Sequence, residues 1–286
     1  MSYQSIFRPD LFTGQTIIVT GGGSGIGRCT AHELASLGAH VVIFGRNAEN
    51  LAQVQGEIEA DGGRVKAVSG SIREEADVVG LFDRVLAECG AVHGLVNNAG
   101  GQFLSPAEMI SRNGFTAVVE TNLLGTFLMC REAYNRYMNN HGGVIVNMLI
   151  DNSRGYPGMA HSGAARAGVE NLTKTLAVEW ARSGVRLNAV APGVIKSSGL
   201  DKYPDYVKKE FLPQVIKDIP FKRMGTESET AAAIVFLLSP AAAYISGETI
   251  KIDGAYALWR KTWEIEDHHN APPAYNGFAD PEDSLE

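Results

Sequence analysis

The sequence predicts a single-domain α/β fold, a doubly wound parallel sheet of about seven strands with helices on both faces. Three observations carry that expectation. Short β-branched runs alternate with helix-period segments over most of the chain, the pattern of strand–helix–strand units. The first run leads straight into TGGGSGIG at 20–27 and then into an amphipathic stretch. Finally, 286 residues with 45% hydrophobic and 20% charged side chains suit one large core, not a disordered or fibrous chain.

The strands expected from this pattern are 16–20, 40–44, 64–68, 94–97, 143–148, 185–190 and 249–252. Each is a short Val- or Ile-bearing run set off by glycines or polar residues. Helical stretches begin near Gly25, Glu49, Glu74, Gly114, Ser162 and Glu227, where apolar residues recur at helical spacing. No internal repeat or Gly/Ser linker breaks the series, so residues 1–258 read as one domain. Residues 196–223 form a lid-like insertion after the sixth strand. Residues 259–286 form a tail whose aromatics (Trp259, Trp263, Tyr275, Phe278) predict packing on the domain or on a neighbouring subunit.

Net charge is −7, so the field of the whole molecule favours neither nucleic acid nor an anionic membrane. Cys29, Cys89 and Cys130 are odd in number and widely spaced, and read as reduced, mostly buried thiols. His268 and His269 stand in an acidic tail without further ligands, so no metal is expected. The start of the chain lacks a signal-like apolar run, no segment of about 18 apolar residues is present, and DSLE is no peroxisomal address. A soluble cytoplasmic protein is expected.

The turn at 20–27 points to a dinucleotide. Glycines permit a tight strand-to-helix turn and close approach of backbone to a pyrophosphate, and the helix start offers free N–H groups to that anion. About 20 residues further on, where an acidic residue would bind a ribose 2′-hydroxyl, the chain has Phe44-Gly45-Arg46-Asn47. Arg46 suits a 2′-phosphate, with Arg28 as a second cation, and NADP(H) is expected. The alternative is that Arg46 is an ordinary solvated residue at a strand end.

TGGGSGIG, NNAG at 97–100, Asn122 in TNLLGTF and APG at 191–193 together resemble the short-chain dehydrogenase/reductase family over about residues 12–255. The resemblance implies a Rossmann-type fold and a nicotinamide cofactor. It sets Gly21, Ser24, Gly25, Ile26 and Gly27 along the pyrophosphate, and Asn98, Ala99 and Gly100 beside the adenosine ribose. Pro192, Gly193 and Ile195 would pack on the nicotinamide, with Ser197 near its carboxamide. Ser71-Ile72 replaces the segment where the family usually has an adenine-contacting Asp, which implies a weaker adenine contact. Within the family, GGQFLSPAE at 100–108, HSGAARAGV at 161–169 and APGVI at 191–195 resemble the peroxisomal-type NADPH-dependent trans-2-enoyl-CoA reductases, as does the tail around 263–270. The 2,4-dienoyl-CoA reductases share the Ser-x-x-x-basic arrangement but use an asparagine in the segment aligned with Leu124.

Ser162 and Arg166 stand where most family members carry Tyr and Lys. The i,i+4 spacing sets both on one helix face. Arg166 can hold a ribose diol, whereas a serine hydroxyl is a far poorer acid than a phenol. Reduction of an enoyl thioester tolerates that exchange, because the site then chiefly stabilises an enolate. Ser162 is expected to hold the enolate, Arg166 to position the cofactor, and Asn122 to order a helix carbonyl or a water chain. The proton donor is open. Tyr156, just before the helix, is the nearest phenol in sequence, and it also fits as a packing residue. Asp151 could relay protons or cap a turn. Glu170, where some enoyl reductases of this type have Tyr, reads as a partner for Lys174.

The insertion carries Lys196, Lys202, Lys208, Lys209, Lys217, Lys222 and Arg223 against Asp201, Asp205, Glu210 and Asp218. This local excess suits a polyanion such as coenzyme A, or equally a solvated lid. Phe103, Leu104, Met159, Leu200 and Phe211 are candidates for an acyl channel, or for core. The leading expectation is an NADPH-dependent enoyl-CoA reductase acting on acyl-CoA substrates as a homotetramer or homodimer. Two alternatives stand: a carbonyl or alcohol dehydrogenase with a rearranged proton donor, and a non-catalytic NADP-binding protein of the same fold.

Overall fold

A computed structural model describes residues 3–199, 204–260 and 262–278. Seven parallel strands form one sheet in the order β3-β2-β1-β4-β5-β6-β9. They are β1 (Thr16–Thr20), β2 (His40–Gly45), β3 (Arg64–Ser69), β4 (Gly94–Asn97), β5 (Gly143–Met148), β6 (Val185–Pro192) and β9 (Thr249–Ile252). The remaining short strands β7 (Ile195–Lys196) and β8 (Gly225–Thr226) pair with each other and close the base of the insertion. The strand order reverses between β1 and β4, and the carboxyl ends of these strands open the crevice in which such sheets bind ligands.

Helices α1 (Gly25–Ser36), α2 (Ala48–Ala60) and α9 (Glu227–Leu238) cover one face, and α3 (Glu75–Cys89), α5 (Gly125–Ala133) and α7 (Ala160–Glu179) the other. Strand side chains alternate between the two layers. In β1, Ile17 and Val19 join the first core and Ile18 the second. Because both faces are covered, all five β1 residues are buried, which is why the strand reads as a continuous apolar run.

The expected elements are all present, with three strands longer than expected: β2 and β3 by one residue and β6 by two. Pairing with a neighbour extends them, Gly45 opposite Ser69 and Pro192 opposite Ile252. The single helix expected from Gly114 is instead a broken series. α4 (Arg112–Val119) passes through a π-helical turn at Glu120–Leu124 into α5, and through a second at Tyr134–Met138 into α6 (Asn139–His141). Asn122 sits in the first of these turns, an irregularity that re-aims side chains and recurs at functional sites. The insertion holds a π-helical turn at Val207–Phe211 followed by α8 (Leu212–Asp218). Leu200, Asp201 and Lys202 lie outside the described residues.

The described part of the tail packs on its own chain. Gly277 N donates to Ser228 Oγ (2.9 Å) and Gln4 N to Gly277 O (2.9 Å), while Phe278 stands edge-on to Tyr3 and His32. Nearer the lid, Lys222 Nζ donates to Ile265 O (2.9 Å) and Arg223 Nε to Pro272 O (3.3 Å), so the tail straps the insertion to α1 and α9. His268 faces Pro220 O at 2.8 Å.

Under this strap lies Glu33 of α1, fully buried and accepting from Tyr3 Oη and Ser5 Oγ, each at 3.0 Å. Burial pushes its carboxyl up from 4.5 to about 7, against the pull of those hydroxyl donors. Below 4.5 the group is protonated in both states; between 4.5 and about 7 the folded protein keeps the proton that the unfolded chain releases. Stability therefore falls as pH rises through that window. Glu33→Gln is expected to melt at a higher temperature than the parent at about pH 8 and to lose this advantage near pH 4, which paired thermal melts would read.

Candidate active site and cofactor crevice

The glycine turn is built around two close approaches. Gly21 has φ of 68°, and a Cβ there would lie 2.8 Å from Asn98 Nδ2. A Cβ on Gly27 would overlap Gly21 O and Asn98 Nδ2. Asn98 in turn fastens β4 to the turn, its Nδ2 donating to Thr20 O at 2.9 Å, and Ala99 N donates to Thr20 Oγ1 at 3.0 Å. Ile26 packs on the core below. Above it, Gly25 (φ 57°) has, among the described residues, Ser198 and Glu227 within 4 Å of its Cβ position, and Ser24, the N-cap of α1, makes no side-chain cap. The α1 N–H groups thus keep free donors at an open approach, which fits the pyrophosphate of a dinucleotide.

Arg46 follows β2 directly, is exposed, and has no ion-pair or hydrogen-bond partner among the described residues. Arg28 departs from its expected role as a second cation. It pairs with Glu57 of α2, with Nε–Oε2 at 2.8 Å, and lies 4.7 Å from the Phe278 ring centre. Its charge is answered within the fold, so Arg46 stands as the 2′-phosphate candidate. Arg46→Glu is expected to raise KM for NADPH by about tenfold or more and to affect NADH far less, measured by varying each cofactor. Ser71 Oγ accepts from Arg73 N (3.2 Å), while Ser71 N donates to Asp77 Oδ2 (2.9 Å). Ile72 is buried against Gly125 of α5.

Ser162 and Arg166 lie one turn apart in α7, both buried. Arg166 Nη1 donates to Met148 O at the end of β5, while its buried Nε has no partner among the described residues. A Cβ on Gly100 would overlap Arg166 Nη2, so a side chain there would have to move the guanidinium. Burial lowers the guanidinium to about 10, and no carboxylate among the described residues pairs with it. Arg166 remains a cation at neutral pH, held in dry surroundings. Ser162 Oγ donates to Gln102 Oε1 at 2.8 Å, and Ser162 N to His161 Nδ1 at 2.8 Å.

Asn122, expected to order a helix carbonyl or a water chain, turns its amide to the loop after β4. Both ends of its amide bind the Gly101 backbone: Oδ1 accepts from Gly101 N (2.9 Å) and Nδ2 donates to Gly101 O (3.0 Å). It fixes the loop that carries Gln102. Asp151 is a turn cap and ion-pair partner. Burial would raise its carboxyl, but bonds from Ser153 and Lys251 hold it below the usual range, so it is an ionised carboxylate with no proton to give. Glu170 pairs with Lys174 at 2.8 Å, as expected. Tyr156, in the loop before α7, is half-buried, its Cβ 3.0 Å from the Cβ position of Gly163 in the first turn.

Pro192 ends β6, Gly193 N bonds Ile252 O (2.9 Å), and Ile195 is buried, with Ser197 half-exposed beyond it. In the lid, Asp205 pairs with Lys208 and Lys209, Lys222 with Asp267, and Arg223 with Glu229, so much of the expected cation excess is already answered. Phe103, Leu104 and Phe211 are exposed while Met159 is buried. Leu104 lies against the turn before α7, where Gly158 O accepts from Ser105 N (2.8 Å) and the Gly158 Cβ position lies 2.8 Å from Leu104 Cδ1. Gln102 and His161 had no assigned role in the sequence; both lay in the quoted motifs, and only folding brings Gln102 across 60 residues to Ser162. Among the described residues no group of His, Cys, Asp or Glu is arranged to hold a metal, and no helix is long and apolar enough to cross a membrane.

A doubly wound sheet with an open glycine turn at its switch point and a Ser–Arg helix pair beside it defines a dinucleotide-dependent oxidoreductase. The profile of the family described as Enoyl-(Acyl carrier protein) reductase matches residues 12–257. The chain belongs to the short-chain dehydrogenase/reductase family. It is 38% identical over 248 residues to a probable 2,4-dienoyl-CoA reductase of Bacillus subtilis, covering 85% of this chain and 97% of that one. It is 37% identical over 255 residues to the peroxisomal 2,4-dienoyl-CoA reductase of Mus musculus, covering 88% and 87%. A solved structure titled citronellol catabolism dehydrogenase (AtuB), from Pseudomonas aeruginosa PAO1, is 58% identical with a TM-score of 0.80, covering 89% of this chain and all of that one.

Proposed function

We propose that the chain is an NADPH-dependent reductase of the conjugated C=C bond of trans-2-enoyl-CoA thioesters. The observation that carries this reading is the α7 pair: a buried serine in place of a phenol, one turn from a buried guanidinium with no carboxylate partner among the described residues. When bound, NADPH supplies hydride to Cβ of the enoyl group. Negative charge then collects on the thioester oxygen, and the role of the chain is to hold it. Ser162 donates to that oxygen, and the Arg166 cation stabilises the charge where water is excluded. Ketone reduction demands an acid at the oxygen itself, a task to which a serine is poorly suited. Tyr156 is the proposed proton source for Cα, and its packing against Gly163, the residue after Ser162, supports that role. Arg46 supports NADPH over NADH, and the named dienoyl-CoA reductases support a thioester substrate, with Asn122 keeping the active-site loop in register. The proposal includes a soluble cytoplasmic homodimer or homotetramer.

The citronellol catabolism dehydrogenase at 58% identity favours a second reading, a terpenoid alcohol or aldehyde as substrate with the Tyr156 phenol exchanging the proton. One assay on purified protein separates the two. Consumption of NADPH with a trans-2-enoyl-CoA, giving the saturated thioester by mass spectrometry, is the expected result. Turnover of citronellol or its aldehyde alone would replace it with the second reading. Cofactor binding without either turnover would mark a non-catalytic binding protein.

A further inference from the structure

The hydroxyl of Ser162 carries one proton, and a hydroxyl donates one hydrogen bond. In the structure that bond is committed, with Oγ donating to Gln102 Oε1 at 2.8 Å. The acceptor is a carbonyl oxygen, the chemical counterpart of the thioester oxygen. Gln102 reaches Ser162 from a loop tied at both ends, at Gly101 to both amide atoms of Asn122 and at Ser105 to Gly158 O. Between these anchors Gln102 is exposed, although the serine it covers is completely buried. Its neighbour Phe103 stands edge-on to the buried His161 ring at 4.3 Å, so two side chains of one short loop close over the first turn of α7.

We infer that Gln102 is a place-holder whose carboxamide oxygen occupies the acceptor position of the substrate carbonyl and is displaced when substrate binds. The inference rests on the thioester reading, because that reaction requires Ser162 to donate to a substrate oxygen. The contact spares a buried hydroxyl the cost of an unmet donor. Both loop anchors are backbone groups, so the exposed Gln102 side chain can turn aside while the loop stays in place. Substrate carbonyl and Gln102 compete for the same proton, which makes Gln102 a determinant of substrate affinity.

Gln102→Leu keeps the side-chain bulk and removes the acceptor. Using the full-length protein, KM and kcat are measured with trans-2-octenoyl-CoA, and the Kd of octanoyl-CoA is measured calorimetrically in the presence of NADP+. KM and Kd are expected to fall by about two- to tenfold, the scale of one neutral hydrogen bond. The same substitution in a Ser162→Ala background is expected to change Kd less than about twofold, since no proton is left to compete for. An unchanged or weaker Kd, a fall in kcat without tighter binding, or tightening that persists without Ser162 would each overturn the place-holder role while the parent still turns over enoyl-CoA. A parent protein that neither binds octanoyl-CoA nor reduces the enoyl thioester would instead sink the thioester reading, and this inference with it.

Discussion

Arg166→Met is expected to lower kcat for enoyl-CoA reduction by about 10²–10³-fold while the fold becomes no less stable. The guanidinium is buried, bonded to Met148 O and otherwise unanswered by a carboxylate among the described residues. A fixed cation in a dry site is worth most where negative charge develops during the reaction. The same burial makes the residue costly to the folded state. Its folded value, lowered by burial to about 10, lies below that of the unfolded chain, so the unfolded chain binds more protons between the two and stability rises with pH there. Below about 10 the whole cost is present, and methionine removes it. Each kcal/mol recovered raises Tm by about 2–4 °C. Arg166→Lys, which keeps the charge, is expected to retain far more turnover. Steady-state kinetics and thermal melts on the same preparations test both halves, and a kcat for Arg166→Met within threefold of the parent would remove the electrostatic role.

Gly27→Ala is expected to abolish tight NADPH binding and to destabilise the protein by about 1–3 kcal/mol or more. The added methyl group would overlap Gly21 O and Asn98 Nδ2. Neither can yield cheaply, since the first is backbone of the turn and the second is tied to Thr20 O at 2.9 Å. The methyl group must push α1 off the turn and carry its N–H donors with it. Gly80, exposed within α3 with nothing within 4 Å of its Cβ position, is the control. Gly80→Ala is expected to stabilise by about 0.5–1 kcal/mol and leave cofactor binding alone. Fluorescence titration with NADPH and thermal melts distinguish the pair.

Much of the fold was legible because the governing signals are local. β1, with all five residues buried, reads as an apolar run bounded by turn residues, and α7 keeps its helical period for 20 residues. The helix from Gly114 was only half legible. Neither of its two π-helical turns, ETNLL and YNRYM, contains a proline or glycine to mark where the helix would break. Arg28 and Asp151 show a different limit. Each has the right residue type in the right segment for a role in the site, and each is claimed by a partner distant in sequence: Glu57 for the arginine, Lys251 for the aspartate.

The sequence alone determined the parallel sheet, the glycine turn, the exposed cation after β2 and the Ser162–Arg166 pair on one face of a helix. These follow from periodicity, glycine chemistry and i,i+4 spacing, all short-range properties of the chain. The tertiary structure decided which of those groups are already engaged. It set Gln102 on the Ser162 proton, turned Asn122 onto the Gly101 backbone and left Arg166 without a carboxylate among the described residues. The physical reason is that burial and hydrogen-bond partnership depend on residues brought together across tens of positions, and only the packed chain specifies which ones meet.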